Sequence, residues 1–163
     1  MSRLIPLYLM SLPLAFLACV FALGFALISQ FGFDLHPCVL CIYQRWPYVG
    51  VMVIAGLGFF LARKIGRHYF ELLCSLGFTT TAAIGGFHVG VEQGWWKGLD
   101  GCVADTTPTS SLAELKAQIM SAPIVKCDEI AWQMFGISMA GYNLIFAGLM
   151  AIFMFMAFWY NKP

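Results

Sequence analysis

Charged residues are scarce in this chain of 163 residues, of which only 10% are Asp, Glu, Lys or Arg. A soluble domain carries roughly 25%, so the chain has too few charges to cover a surface that faces water. The net charge of +1, from 9 basic and 8 acidic residues, also lacks the basic footprint of a nucleic-acid-binding protein. A soluble enzyme, a disordered chain and a nucleic-acid binder are therefore poorly supported. The 61% of hydrophobic residues indicates a protein whose solvent is the lipid bilayer.

Four long stretches contain no charged residue, namely 4–33, 46–62, 72–91 and 130–161. A charge at the bilayer centre costs at least ~2.5 kcal/mol, and a hydrocarbon core about 30 Å thick is crossed by ~20 helical residues. The sequence therefore predicts an all-α membrane protein, a bundle of four transmembrane helices that forms one integral membrane domain. We place the helices near residues 8–29, 42–62, 70–90 and 139–160, with loops at about 30–41 and 91–138.

The basic residues predict the orientation of the bundle. Four spans place both termini on one side, together with the turn between the second and third spans. That side carries Arg3, Arg63, Lys64, Arg67 and Lys162, whereas the two remaining loops are mostly acidic. Because short cytoplasmic loops carry an excess of Lys and Arg, we expect the termini in the cytoplasm and both loops outside.

The first apolar stretch raises the alternative of a cleaved signal, since Phe16-Leu17-Ala18-Cys19 weakly resembles a lipoprotein cleavage site. However, the apolar run continues to Ile28, beyond the ~7–15 residues of a signal core. Leu17 is also bulky at a position where a small residue is usual. We therefore expect this segment to remain as a spanning helix.

The six cysteines divide into two groups. Cys19 and Cys74 lie inside predicted spans, where a buried cysteine acts as a small hydrophobic residue, and we assign them to packing. The other four fall in the two outer loops, where disulfides persist, and they are Cys38, Cys41, Cys102 and Cys127. Two pairs on one side of the membrane are the main sequence evidence for function.

Several chemistries use four such cysteines. Zinc takes four tetrahedral ligands, often with one C-x2-C pair, but the second pair here is widely separated. Two inert structural disulfides are another possibility, although a bridge within C-x-x-C closes a loop so short that it constrains the unfolded chain least. A redox pair is the third, since C-x-x-C motifs can lower the pKa of a thiol. Arg45, one helical turn beyond Cys41, either favours the thiolate or is an interfacial arginine that orients the span.

The long second loop contains a predicted helix of its own. Ser111 and Glu114 match a capping box, and apolar residues follow at helical spacing up to Pro123. We interpret this segment as a short amphipathic helix that lies on the membrane surface, with packing on the loop as the alternative. The tryptophans of the loop fit an interfacial aromatic belt, and they are Trp95, Trp96 and Trp132.

The end of the third span adds weaker candidates. His88 lies inside the span, and a histidine there is a functional-site hypothesis by default, although a neutral histidine bonded to a neighbouring helix is the alternative. Glu92 and Gln93 lie one turn further on, at the same outer rim. The methionines near this surface, such as Met134 and Met139, are assigned mainly to packing or lipid contact, with one or two available to line a ligand pocket.

These residues together resemble the DsbB family of bacterial inner membranes. The likeness covers nearly the whole chain, and its most distinctive stretches are PCVLCIYQRW at 37–46 and CDEIAWQMFGISMAGYN at 127–143. The resemblance implies a multi-pass inner-membrane enzyme that re-oxidises a periplasmic DsbA-type dithiol protein and passes two electrons to ubiquinone or menaquinone. In bacteria a DsbA–DsbB–quinone system keeps the periplasm oxidising. No metal is expected.

The resemblance also implies a role for each redox residue. The partner's thiolate would attack Cys102 in a Cys102–Cys127 disulfide, and the freed Cys127 would attack Cys38 in a Cys38–Cys41 disulfide. Cys41 would leave as a thiolate beside the quinone, where Arg45 would stabilise it and polarise the quinone carbonyl.

The chain departs from the family pattern at Gln44, where some members have an acidic residue. The family's third-span contribution to the quinone site corresponds to HVGVEQGWW at 88–96, with His88, Glu92 and Gln93 as candidates. Two other functions stay open from the residues alone. Electrons could flow outward to reduce periplasmic disulfides, although no cysteine pair is predicted on the cytoplasmic side, or the chain could be a non-catalytic zinc-binding or structural-disulfide scaffold.

Overall fold

Four long helices make up the bundle in the computed structural model, which describes residues 10–99, 102, 111–113, 116 and 125–163. They are α1 (Ser11–Gly32), α2 (Val39–Ile65), α3 (Arg67–Glu92) and α4 (Met139–Asn161). Each is long and apolar enough to cross a membrane. Their lengths of 22 to 27 residues correspond to about 33–40 Å at ~1.5 Å per residue. The predicted four-span architecture is confirmed.

The second helix begins earlier than the sequence predicted, at Val39 rather than near residue 42. Cys38 is its N-cap residue, and the Cys38 sulfur accepts the backbone N–H of Cys41 at 3.3 Å. A cysteine at this position takes the place of the Ser, Thr or Asp that usually satisfies the free N–H groups of a first turn. The C-x-x-C motif therefore lies on the first turn of α2 and not in the preceding loop.

The connection between α2 and α3 is a single residue, Gly66. Its φ of +110° lies in a region that L side chains avoid and glycine adopts freely. Arg63 and Lys64 lie in the last turn of α2, where basic side chains complement the helix dipole. We call this end of the bundle, which also holds the start of α1 and the end of α4, the terminal end, and the opposite end the loop end.

The core is formed where α3 packs between α2 and α4, with α1 packed mainly on α2. Cys19 and Cys74 are fully buried in it, beside Phe78 and Met154, so their predicted packing role is confirmed. The outer surface is strongly apolar, with Phe60 and Trp159 among many exposed large side chains. Such a surface is stable only in contact with lipid.

A buried carboxylate joins three helices at the terminal end. Glu71 Oε1 of α3 accepts hydrogen bonds from Ser11 Oγ of α1 at 2.5 Å, Arg67 Nε at 3.0 Å and Asn161 Nδ2 of α4 at 2.8 Å. The Glu71 side chain is fully buried. A charge buried in this way requires partners of this kind, so the cluster fixes the helix ends relative to one another.

A short antiparallel hairpin leads into α4 at the loop end, and the sequence did not predict it. Its strands are β1 (Gln133–Met134) and β2 (Ile137–Ser138). Phe135 and Gly136 form the turn with φ values of 52° and 76°, as a two-residue hairpin loop requires. The predicted amphipathic helix falls largely outside the described residues, which include only 111–113 and 116 of that segment.

Candidate active site

The four loop cysteines come together at the loop end of the bundle. Cys102 and Cys127 form a disulfide with a Cα–Cα distance of 5.0 Å, and Cys38 lies with them in one buried cluster beside Leu40. Cys41 packs against the edge of this cluster. Cys38 and Cys41 are thiols whose sulfur atoms lie 2.9 Å apart. Two cysteine pairs, one oxidised and one reduced, are therefore within a single apolar environment.

Cys38 is held as a thiolate by its surroundings. The pKa of its thiol is lowered from 9.0 to about 4, chiefly by the hydrogen bond with the Cys41 thiol, with further contributions from His88 and the Cys41 backbone N–H, while burial opposes the shift. The start of a helix also favours a negative charge. Because the thiolate is the nucleophilic form of cysteine, Cys38 is poised for exchange at neutral pH.

Cys41 faces a different environment, a cavity of about 350 Å³ between α1, α2 and α4. Arg45 lines the same cavity one turn further along α2. Its guanidinium donates to Gln30 Oε1 at 2.7 Å and to the carbonyl oxygen of Ala26 at 3.5 Å. Both acceptors are neutral, so these contacts orient the guanidinium without neutralising its charge.

The rest of the cavity wall is aromatic and apolar, with a few polar side chains on one side. The polar members are Gln44, Tyr48, His88 and Asn143. The apolar members include Phe21, Phe25, Trp132, Met134, Met139, Tyr142 and Phe146. A concave apolar site with a few convergent polar groups is typical of a small-molecule site.

The weaker sequence candidates take different positions. His88 lines the cavity and lies 3.6 Å through Nε2 from the Cys38 sulfur. Glu92 lies behind it, with Oε1 3.9 Å from His88 Nε2 and Oε2 accepting from Ser138 Oγ at 2.5 Å. Gln93 is the C-cap residue of α3. Neither Glu92 nor Gln93 is among the described residues that line the cavity.

Several polar residues of the site were missed from the sequence. Tyr48 donates to Asn143 Oδ1 at 2.6 Å, and Asn143 Nδ2 donates to Gln44 Oε1 at 2.6 Å. Gln30 contacts Arg45, as described above. The available signal was a polar amide inside an apolar span, where such a side chain needs a partner on a neighbouring helix.

The same cluster has a donor set that a metal ion could use. The sulfur atoms of Cys38 and Cys41 and a ring nitrogen of His88 all lie within 4.8 Å of one another. Sulfur and imidazole nitrogen are the ligands that zinc prefers.

A bundle of membrane-spanning helices with a disulfide next to a pair of free cysteines, one of them a thiolate, defines a membrane thiol–disulfide oxidoreductase. The sequence comparisons agree with this class. The model of the family "Disulfide bond formation protein DsbB" matches residues 10–157. The chain therefore belongs to the DsbB family, a family of disulfide-forming oxidoreductases, and is a multi-pass inner-membrane protein.

Individual relatives cover most of the chain. It is 29% identical over 167 residues to the disulfide bond formation protein B of Hahella chejuensis, with 92% of each chain covered. It is 30% identical over 155 residues to the protein of the same name from Idiomarina loihiensis, covering 85% of this chain and 78% of the relative. An uncharacterised protein of Rickettsia prowazekii is 28% identical over 145 residues, covering 88% and 83%.

Proposed function

We propose that this protein re-oxidises a periplasmic DsbA-type dithiol protein and passes the two electrons to a membrane quinone, ubiquinone or menaquinone. One observation carries the proposal. The Cys38 and Cys41 sulfur atoms lie 2.9 Å apart, yet Cys38 belongs to the buried cluster that holds the Cys102–Cys127 disulfide while Cys41 lines the cavity with Arg45. The pair therefore stands between a site for disulfide exchange and a site for a small molecule.

The exchange steps follow from this arrangement. The partner's thiolate attacks Cys102, the Cys102–Cys127 bond breaks, and Cys127 leaves as a thiolate. Cys127 then attacks Cys38 of an oxidised Cys38–Cys41 pair, so that Cys41 leaves as a thiolate facing the cavity. When the partner's second thiol releases Cys102, the Cys102–Cys127 bond forms again and Cys38 leaves. The net result is one disulfide in the partner and a reduced Cys38–Cys41 pair.

Closing the Cys38–Cys41 disulfide again, from the two thiolates that the exchange leaves, releases two electrons. A quinone bound in the cavity would accept both electrons, take up two protons that balance those lost by the partner's dithiol, and become a quinol. The residues present fit such a ligand, because aromatic and methionine side chains suit a flat ring and the Arg45 guanidinium suits a carbonyl oxygen. The cavity volume of about 350 Å³ also lies within the roughly 300–1,000 Å³ of small-molecule sites.

A second groove supports a ligand with a long apolar chain. It lies between α1 and α4 and shares Phe21 and Phe146 with the cavity. From there it continues along Leu14, Leu17 and Phe153. An isoprenoid chain would lie in this groove and extend towards the terminal end of the bundle.

The charges support the orientation that the reaction needs. Arg63, Lys64 and Arg67 surround the turn at the terminal end, and the positive-inside rule assigns such a turn to the cytoplasm. The loop end with its four cysteines then faces the periplasm, where disulfides persist. We accordingly propose cytoplasmic termini.

The test is a turnover assay with purified protein, a reduced DsbA-type partner and a short-chain quinone. We expect loss of the quinone absorbance with one partner disulfide formed per quinone reduced. Cys41→Ser abolishes both signals, whereas Cys74→Ala, which removes a buried sulfur near Glu71 at the terminal end, leaves them unchanged. Unchanged quinone with the wild-type protein, under conditions where the partner is folded, would disprove the proposal.

One alternative is a zinc-binding module without catalysis. It is supported by the donor set of Cys38, Cys41 and His88. Metal analysis of the purified protein distinguishes the two functions. A stoichiometric zinc ion that survives dialysis and blocks thiol titration favours the module, and metal-free protein with titratable thiols favours the oxidoreductase.

A further inference from the structure

We propose that Gln44 is a positioning residue that determines which ring nitrogen of His88 carries the proton, so that His88 donates an N–H to the Cys38 sulfur. This proposal depends on the proposed function in one respect, which is that Cys38 leaves as a thiolate during disulfide exchange. It assigns a role to the position at which the chain departs from its family pattern. The direction of each hydrogen bond in one continuous chain of side chains determines the tautomer.

The first step is the orientation of the Gln44 amide. Gln44 Nε2 lies 3.3 Å from the carbonyl oxygen of Leu40, and a carbonyl can only accept. The atom at this end must therefore be the NH2 group. At the other end, Gln44 Oε1 accepts from Asn143 Nδ2 at 2.6 Å, and Asn143 Oδ1 accepts from Tyr48 at 2.6 Å. The Leu40 carbonyl therefore sets the orientation, and the Tyr48 hydroxyl, which can donate or accept, is compatible with it.

The second step is the tautomer of His88. Gln44 Nε2 lies 2.8 Å from His88 Nδ1. Because an amide NH2 donates and does not accept, Nδ1 must supply the lone pair. An imidazole in a protein carries at least one proton, and Nδ1 has none here, so the proton is on Nε2. In metal sites, likewise, a hydrogen-bond partner at one ring nitrogen of a histidine determines whether the other nitrogen carries a proton.

The third step concerns the groups that the Nε2–H of His88 faces. The Cys38 sulfur lies 3.6 Å away, and Glu92 Oε1 lies 3.9 Å away. Glu92 is itself held by Ser138, and His88 also interacts with the backbone of Cys127. His88 therefore connects Cys38 with the segment that carries the Cys102–Cys127 disulfide. A neutral ring in this tautomer offers Cys38 a donor and has no lone pair with which to take a proton from it.

The chemical consequence concerns the step in which Cys38 leaves. The Cys102 thiolate attacks Cys127 in a Cys38–Cys127 bond, the Cys102–Cys127 bond forms, and Cys38 departs with the electron pair. No proton is transferred in this step. A donor that is already aimed at the departing sulfur stabilises the thiolate as it forms, and exchange is faster when the leaving thiol has a lower pKa.

The direct test is ¹⁵N NMR of the reduced protein labelled at histidine, with His88 assigned from the spectrum of a His88→Gln variant. We expect a protonated Nε2 and an unprotonated Nδ1 in the wild type. In Gln44→Glu the carboxylate accepts at Nδ1, so the Nδ1 signal becomes that of a protonated nitrogen. Gln133→Met, the substitution of an exposed glutamine of β1, leaves the wild-type pattern. A wild-type ring protonated on Nδ1, or an unchanged tautomer in Gln44→Glu, would overturn the inference.

The functional test compares two replacements of His88. The amide NH2 of His88→Gln reproduces the Nε2–H donor, whereas His88→Leu removes it. Titration of the Cys38 thiolate by its ultraviolet absorbance should give a midpoint near that of the wild type in His88→Gln. In His88→Leu we expect a midpoint higher by about one pH unit, since a hydrogen bond to a charged group is worth about one pKa unit or more. Equal shifts in both variants would contradict a donor role.

Neither measurement uses a quinone or a partner protein. If turnover fails but the tautomer and the thiolate titration behave as stated, the proposed function is wrong and the positioning role of Gln44 stands. If turnover succeeds but Gln44→Glu leaves the tautomer of His88 unchanged, the proposed function stands and the positioning role of Gln44 is wrong.

Discussion

The sulfur atoms of Cys38 and Cys41 lie 2.9 Å apart, but they face different surroundings. Cys38 caps the helix and packs with the Cys102–Cys127 disulfide, whereas Cys41 lines the cavity that contains the Arg45 guanidinium. The two residues are the N-cap and the third residue of α2, so their side chains lie on one side of the helix but one turn apart along its axis. The following predictions test the roles that this geometry gives to each residue.

A partner protein with a single cysteine should become linked to Cys102. Its thiolate opens the Cys102–Cys127 disulfide, and no second thiol is present to release it. Peptide mapping of the complex under non-reducing conditions identifies the attachment site. Attachment at Cys38 would show that the proposed order of exchange is wrong, and Cys102→Ser serves as the control that forms no complex through this residue.

Arg45→Ala should raise the apparent KM for quinone by about tenfold, the effect of losing one charge-assisted hydrogen bond. The guanidinium lies in the cavity and is oriented by Gln30, so Gln30→Met should produce a smaller increase. Steady-state kinetics at several quinone concentrations measure both effects. The control is Arg63→Ala, which changes an arginine at the terminal end. An unchanged KM in Arg45→Ala would return Arg45 to a role in orienting the span.

The reduced protein should contain a Cys38 thiolate down to about pH 4. The pKa of Cys38 is lowered from 9.0 to about 4, so the thiolate is present above pH 4 and is lost as the pH falls through that value. Thiolate absorbance of the wild type minus that of Cys38→Ser isolates this group. A midpoint near 8 or 9, the ordinary range of a cysteine, would contradict the hydrogen-bonded arrangement at the helix start.

Loss of the Glu71 carboxylate should destabilise the bundle by roughly 2–3 kcal/mol, because it leaves Arg67, Ser11 and Asn161 without their common acceptor. The Arg67 side chain is 27% exposed, so part of its charge remains solvated and the effect falls below that of a fully buried pair. Unfolding of Glu71→Ala in detergent measures the change. Glu129→Ala, which removes an exposed pair with Lys126, should have little effect.

The proposed orientation predicts opposite labelling at the two ends. In a variant without native cysteines, Lys64→Cys should react with a membrane-impermeant maleimide only after the inner membrane is opened. Asp128→Cys, at the loop end, should react in cells with a permeable outer membrane. The reverse pattern would place the redox cysteines in the cytoplasm.

The fold was predictable because four uncharged stretches of sufficient length leave few alternatives in a bilayer. The position of Arg45 and Cys41 on one face of α2, where both line the cavity, was also predictable, since four residues along a helix return to the same face. The start of α2 was not predicted, because Cys38 acts as a cap and cysteine is not a usual capping residue. The hairpin before α4 was missed because its two-residue strands are too short to show an alternating pattern.

The polar chain behind the site could not be predicted from local patterns. Tyr48, Gln44 and Asn143 are on two helices, and Asn143 follows Gln44 at a sequence separation of 99. Periodicity shows which face of a helix a residue occupies but not which residue of another helix it meets. From the sequence, Gln44 stood out only as a departure from a family pattern. Its contacts could be identified only from the packing of α2 against α3 and α4.

The hydrogen bond between Glu92 and Ser138 joins the last turn of α3 to the cap of α4. This hydrogen bond therefore holds the two ends of the long connection together. The distance between those ends does not depend on how many residues the connection contains. For such a closed loop, doubling the number of residues costs only about 0.6 kcal/mol. Insertions and deletions between Cys102 and Cys127 can therefore accumulate during evolution while α3 and α4 keep their spacing. The hydrogen bond thus sets the spacing of α3 and α4, whereas Cys102 and Cys127 within the connection stay constrained by the disulfide that they form.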